Sequence, residues 1–399
     1  MISSRKTLWM VAVWMAVVMG CGSVHAQEIK VALIASRTGP YEAYAKQAEQ
    51  GLSMGLAYAT QNTMTVSGRK LTVLIKDDQF KPDRARALIS EAFYDDKVDI
   101  AVGSTSSATT LAMMPVAQEA KKLLIVDIGA ADQITGARFN RYVFRTGRST
   151  AQEAIASAVG LAAKDTSIAV LAQDYAFGRD SVTAFKKAAE SAGAKVVDEE
   201  FVPISATDFT APVQRMFDAL KDKPGRKVIW VTWVGSSPLQ KINAMNPGRY
   251  GITLASPGTL LSTMGEYKNI PQLEGTMIYY YAFERNQAND WLINETKKRY
   301  QTVPDAGTAL AFNAGIAIVK AIETAGGTDT EKLIKALEGM QFDSAKGPIT
   351  IRAEDHQGLQ EMYQVRFKTD QSVAWAVPEL VRTLTPDMIN LPVGVKHSN

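Results

Sequence analysis

The sequence predicts an α/β protein built from two units of similar size, each with a parallel central sheet. Three observations carry this. Short apolar segments alternate with helical periodicity four times within roughly 120 residues. The same alternation restarts after Phe144-Arg145-Thr146-Gly147. A chain of 399 residues is long enough for two cores more naturally than one. With 46% hydrophobic and 21% charged residues, the balance is that of a globular protein and excludes a disordered or fibrous one.

The first 26 residues read as a processing segment. Arg5 and Lys6 are followed by the apolar stretch Leu8 to Met19, too short to span a bilayer comfortably, and then by Val24-His25-Ala26. Export with cleavage after Ala26 is expected, giving a mature chain that begins at Gln27. The alternative is a lipoprotein signal at Val18-Met19-Gly20-Cys21, with Cys21 lipidated.

In the first unit, Ile29 to Ala35 is an apolar strand closed by the turn Arg37-Thr38-Gly39-Pro40. Ala43 to Thr60 has helical periodicity, with Gly51, Met54 and Gly55 marking a close-packed face. Leu71 to Lys76 and Val98 to Gly103 are strands, separated by a helix over Pro82 to Tyr94. The Ser/Thr-rich loop Ser104 to Thr110 leads to a helix over Met113 to Lys121, and Leu123 to Ile128 is a strand ending at Gly129-Ala130-Ala131.

The second unit opens with a helix over Ala151 to Ala163. Strands at Ser167 to Ala172, Lys195 to Phe201, Lys227 to Thr232 and Gly251 to Ala255 alternate with helices at Asp180 to Ser191, Phe209 to Leu220 and Pro238 to Met245. After a strand at Thr276 to Tyr281 come helices at Asn289 to Arg299, Thr308 to Ala325 and Thr330 to Leu337. Pro348 to Ile351 and Met362 to Lys368 read as a hairpin around the turn-rich stretch Ala353 to Gly358. The expected division is residues 28–147 plus about 280–350 for one lobe and 148–279 plus about 351–385 for the other. Residues 386–399 form a tail, and the chain crosses between lobes three times.

Chemistry is sparse. One cysteine excludes a disulfide framework or a cysteine metal cluster, and three histidines leave little for a histidine site. No strand is followed by spaced glycines or a Gly-Lys-Ser/Thr pair, so no phosphate or dinucleotide cofactor is expected. Of the mature histidines, His356 falls in the predicted hairpin turn and His397 near the C-terminus; both read as solvated surface residues. A formal net charge of +3 without a Lys/Arg cluster gives no reason to expect nucleic acid. No enzyme activity and no metal are expected, and a monomer is.

Two α/β units place the loops after their parallel strands across a cleft from each other. Those loops carry hydroxyls at Ser104, Thr105, Ser106 and Ser107, backbone amides at Gly129, Ala130 and Ala131, and rings at Tyr41, Tyr44, Tyr175, Phe177 and Trp233. Such walls grip a small molecule without altering it. Each ring can equally be a core residue, and Ser106 or Ser107 can equally cap the following helix.

From Ile29 to about Asp370 the chain resembles the leucine/isoleucine/valine-binding family of periplasmic solute-binding proteins, which serve ABC importers and have the type I periplasmic binding fold. The resemblance rests on "SRTGPYEAYAKQAEQGLSMGL", "VGSTSSATT", "IVDIGAAD", "YVFRTGRS", "LAQDYAFGRDSVTAFKKAAESAGAKVV", "DFTAPVQRM" and "KGPITI", in that order. It implies a periplasmic protein that traps a solute between two hinged lobes and delivers it to a permease coupled to an ATPase. Ser107 matches the serine that bonds a ligand carboxylate, with Thr105 and Ser106 beside it. Ala130 and Ala131 fall in the next contact loop. Tyr44, Phe177 and Trp233 match aromatic contacts.

The departure from the family pattern is Gly258 in "ASPGTLL", where amino-acid binders commonly place a glutamate for the ligand ammonium. Asp78 or Asp127 would have to supply that charge, because an enclosed ammonium without a carboxylate is left desolvated and unpaired. Arg148 can offer a carboxylate a bidentate pair, and Arg37 can do so from the other lobe. The resemblance thus points to a branched-chain amino-acid-type binder. An amine-free aromatic or other organic acid, or an amide, is the alternative, and a sensor feeding a membrane receptor is a third reading.

Overall fold

The two main sheets are centred on largely apolar runs, Ile29–Ala35 in one and Thr166–Gln173 in the other. The computed structural model describes residues 28–395 except positions 204, 234, 236 and 259. The first sheet forms from β1 (Ile29–Ala35), β2 (Thr65–Val66), β3 (Arg69–Asp77), β4 (Ile100–Gly103), β5 (Leu123–Val126) and β6 (Val143–Arg145). Its order is β2-β3-β1-β4-β5-β6, parallel except for the short β2. Every residue of β4 and β5 is buried, as a parallel sheet covered on both faces requires. Three helices connect these strands: α1 (Glu42–Ala59), α2 (Pro82–Tyr94) and α3 (Ser107–Ala120).

The chain then enters the second sheet through α4 (Thr150–Leu161). The helix starts there because the Ser149 hydroxyl accepts the Gln152 N–H at 3.0 Å. There follow β7 (Thr166–Gln173), α5 (Ala176–Ser191), β8 (Lys195–Val202), α6 (Thr210–Leu220), β9 (Arg226–Thr232), α7 (Leu239–Ala244), β10 (Ile252–Ala255) and β11 (Glu274–Met277). All eight residues of β7 are buried.

The chain returns to the first core with α8 (Gln287–Tyr300), α9 (Ala306–Ala325) and α10 (Thr330–Leu337). By length and composition α9 is apolar enough to cross a bilayer, but 89% of its apolar window is buried inside the protein, so it acts as a core helix. It lies against α1. A methyl on Gly51 would overlap the Thr308 carbonyl, one on Gly55 the Phe312 carbonyl, and one on Gly315 the Leu56 amide nitrogen. The predicted close-packed face of α1 is therefore a backbone-to-backbone seam.

The C-terminal part departs from expectation. β12 (Gln341–Ser344), β13 (Gly347–Ile351) and β14 (Gly358–Leu359) form a small antiparallel sheet, whereas β15 (Met362–Lys368) and β16 (Val377–Leu384) join the second sheet, ahead of α11 (Pro386–Ile389). The predicted hairpin does not form: β13 pairs with β12 and β14, and β15 pairs antiparallel with β11, Tyr363 opposite Met277. The reason is burial. Tyr363, Val365 and Phe367 find a core beside β11, and Met362 one in the first unit, burial that the two-stranded turn would have left in water. The second sheet therefore has the order β16-β15-β11-β10-β9-β7-β8, with parallel strands from β8 to β11 and an antiparallel edge.

Two helices start at least a turn earlier than predicted. In α3 the hydroxyls of Thr109 and Thr110 bond back to the Ser106 carbonyl, both at 2.8 Å, so half of the Ser/Thr-rich loop is helix. In α5 the first turn begins at Ala176.

Among the described residues three passages of chain link the two main sheets, after β6, after β11 and between β13 and β15. The first and last are stapled together. Arg145 is fully buried and donates to Gln357 Oε1 (2.7 Å), the Ala131 carbonyl (2.7 Å) and Thr135 Oγ1 (2.5 Å). Gln357 in turn donates to the Gly147 carbonyl at 2.9 Å. His356, expected on the surface, is only 1% exposed. Its ring stacks on Phe144 at 3.7 Å between centroids and its Nδ1 lies 3.0 Å from the Val143 carbonyl, with burial lowering its pKa. The polar turn that suggested solvent is threaded between the two cores. His397, Cys21 and the leader lie outside the described residues.

Candidate functional site

In each sheet the chain leaves a central strand in opposite directions, from β1 to β3 and β4, and from β7 to β8 and β9. The crevices beyond the carboxyl ends of such strands are where open α/β sheets bind ligands. Here they face each other. Tyr44, in the first turn of α1, comes from the side of the first sheet. Phe177 in the first turn of α5, Thr232 and Trp233 at the end of β9, and Pro257 after β10 come from the second. Arg148 and Glu153 come from the first passage and the start of α4. These seven residues enclose about 40 Å³. That is room for little more than water, so a solute enters only if the two walls part.

The walls are largely aromatic. Tyr41 stacks on Phe80 at 5.1 Å and is tilted against Tyr44 at 5.8 Å. Opposite, Tyr175 and Phe177 are tilted at 5.8 Å, and Trp233 meets Phe209 edge-on at 5.5 Å. The Tyr175 hydroxyl is pushed well up by burial, with Tyr41 and Tyr44 adding to it from the other wall. Rings from both sheets therefore converge.

The hydroxyl loop is mostly occupied with its own architecture. Ser107 Oγ accepts the Ala130 and Ala131 N–H groups at 3.1 and 3.0 Å, so two of the amides proposed for a ligand are already used and the Ser107 hydroxyl hydrogen is what is left to donate. Thr105 Oγ1 accepts the Ser36 N–H at 3.1 Å. Ser106 precedes α3 but makes no capping bond from its side chain. Gly129 is packed against the Thr110 hydroxyl.

The charged candidates separate clearly. Asp78 is completely buried and accepts from Ser36 Oγ (2.6 Å), Ser104 Oγ (2.6 Å) and the Phe80 N–H (2.9 Å), tying together the ends of β1, β3 and β4 rather than facing the cavity. Asp127 is buried too; one oxygen accepts the Ile128 N–H, the other has no partner, and burial raises its pKa to about 6. Arg37 pairs with Glu49 on an exposed face. Gly258 does not border the cavity: a Cβ there would meet Met264, Phe367 and Met277 in the core of the second sheet. Arg148 does turn inward, its Nη1 on the Ile128 carbonyl at 2.7 Å and its Nε 3.4 Å from Glu153.

Glu153 was not singled out from sequence. An acid in the first turn of a helix is expected simply from the helix dipole, and nothing local says that this turn looks into a cleft. Asp305 at the start of α9 accepts the Leu261 N–H (3.0 Å) and the Gln47 amide (3.1 Å), tying the loop after β10 to α1. A larger cavity, about 580 Å³, lies elsewhere, lined by Ile155, Val159, Ala188 and residues 389–394, and touches none of the predicted contact residues.

A family model described as "Periplasmic binding protein" matches residues 28–372. An ABC-type branched-chain amino acid transporter from Rhodopseudomonas palustris CGA009 is 53% identical with a TM-score of 0.89, covering 93% of this chain and all of that one. A solute binding protein of an ABC transporter from Rhodopseudomonas palustris BisB5, in complex with 3,4-dihydroxy benzoic acid, is 25% identical with a TM-score of 0.76, over 90% and 98% of the two chains. The leucine-, isoleucine-, valine-, threonine-, and alanine-binding protein of Pseudomonas aeruginosa is 28% identical over 330 residues, 82% of this chain and 86% of that protein.

Proposed function

The chain belongs to the periplasmic binding protein family, as a solute-binding protein of the branched-chain amino-acid type of ABC transporter, and from that premise we propose that it captures a small carboxylate-bearing solute and hands it to a membrane permease for import. The observation that carries this reading is a cavity wall combining three rings with an inward-turned, buried arginine. In this reading Arg148 holds the carboxylate, helped by the Ser107 hydroxyl, while Tyr44, Phe177 and Trp233 clasp the rest of the solute. The lobes are residues 28–147 with about 280–350, and 148–279 with about 351–385, closing on the solute as a monomer. Family membership implies a periplasmic location; cleavage after Ala26 belongs to the same proposal.

An aromatic acid is the second reading, favoured by the converging rings and by the relative that binds 3,4-dihydroxy benzoic acid. A thermal-shift panel of branched-chain amino acids, their deaminated analogues, hydroxybenzoates and amides, confirmed by calorimetry, tests both. Saturation at a hundred times the dissociation constant should stabilise the protein by about 2.7 kcal/mol. Arg148→Met should weaken every carboxylate roughly a hundredfold. A panel in which no carboxylate raises the melting temperature would sink the reading. The solute should be recovered unchanged by mass spectrometry.

A further inference from the structure

Taking the carboxylate-capture reading as its basis, we infer that Glu153 selects the charge of the solute, admitting carboxylates that also carry a cationic group and rejecting bare ones. Arg148 and Glu153 both line the cavity and are 8% and 6% exposed. They neutralise each other across 3.4 Å, but loosely: the Arg148 Nε makes no hydrogen bond, and only Nη1 is committed, to the Ile128 carbonyl. A buried pair held this weakly can be opened by a ligand that does better for both partners.

A bare carboxylate does better for one partner only. It takes Arg148, and Glu153 is left desolvated, without its counter-charge and close to a second anion. That combination is strongly unfavourable. A solute with both a carboxylate and an ammonium group replaces one ion pair by two and keeps the enclosed charge balanced. The other ionisable groups that sense Glu153 offer little substitute. Tyr267 is buried and its hydroxyl is held by Ser256 and the Pro257 carbonyl. Lys346 does not border the cavity and its burial lowers it to about 7, weakening it as a counter-ion.

The experiment uses two matched pairs, L-leucine with 4-methylpentanoate and L-phenylalanine with 3-phenylpropanoate, titrated by calorimetry into the full mature chain and into Glu153→Gln. The wild type is expected to bind the amino acid of at least one pair roughly a hundredfold more tightly than its deaminated partner. Glu153→Gln should weaken the amino acid about as much and strengthen the bare acid, narrowing or reversing the ratio. A ratio unchanged in Glu153→Gln, or a wild type that holds the deaminated partner as tightly as the amino acid, overturns the inference while leaving carboxylate capture standing. The wild-type ratio decides even if the variant does not fold. Binding of neither pair nor of any other carboxylate overturns the capture reading, and the role of Glu153 with it.

Discussion

Lys346 is 0% exposed, its Nζ has no hydrogen-bond partner, and the nearest aromatic face, Tyr363, is 5.9 Å from it. Burial lowers the amine from its ordinary 10.5 to about 7. Between those values the unfolded chain holds the extra proton, so this group makes stability rise with pH over that window, by at most about 1.4 kcal/mol per unit. The contribution is complete above 10.5 and is lost as pH falls toward 7. Lys346→Met is expected to stabilise the protein at neutral pH by about 2 kcal/mol and to flatten the slope; urea midpoints between about pH 7 and pH 10 measure both. A variant less stable than wild type at neutral pH would refute it. At this scale Trp233, directly after the predicted strand ending at Thr232, and Arg148, at the predicted crossover after Gly147, could be placed from sequence near the cavity they line. Glu153 looked like ordinary helix-start chemistry, and His356 was misread because its neighbours Asp355 and Gln357 are polar in sequence while buried in the fold.

The α1–α9 seam concentrates its consequence on Gly55, where any side chain meets the Phe312 backbone rather than a movable side chain. Gly55→Ala improves helix propensity by up to about 1 kcal/mol yet forces the two backbones apart. A net loss of about 2 kcal/mol is expected, visible as a melting temperature several degrees lower; an unchanged or higher one would mean that the seam yields easily. The Gly51, Met54 and Gly55 spacing announced this contact. Sequence could not announce where β13 and β15 go, since each has an edge-strand pattern that fits any partner. β16 escaped altogether because Val377–Leu384 has an uninterrupted exposed run from Glu379 to Arg382, and so no alternation to read. Pairing with β15 makes it a strand, not its own pattern.

Across the whole molecule the two α/β units were legible from the restart after Gly147, and so was the fold class. What the linear pattern hides is how far each core is interleaved with the other along the chain. The first core needs α9, and the second sheet needs β15 and β16 from beyond it. A fragment of residues 28–281 contains every strand from β1 to β11 but neither completion. It is expected to melt without a cooperative transition and to bind a hydrophobic dye, and a sharp calorimetric peak would contradict this. The same interleaving sets a clock on synthesis. A ribosome adding about 5–20 residues per second finishes β6 on the order of ten seconds before it finishes α9, and β11 waits in turn for β15. During that interval the glycine groove of α1 and the open edge of β11 are bare in the newborn chain. They are the surfaces that a chaperone must shield, the groove until α9 emerges and the edge until β15 follows it.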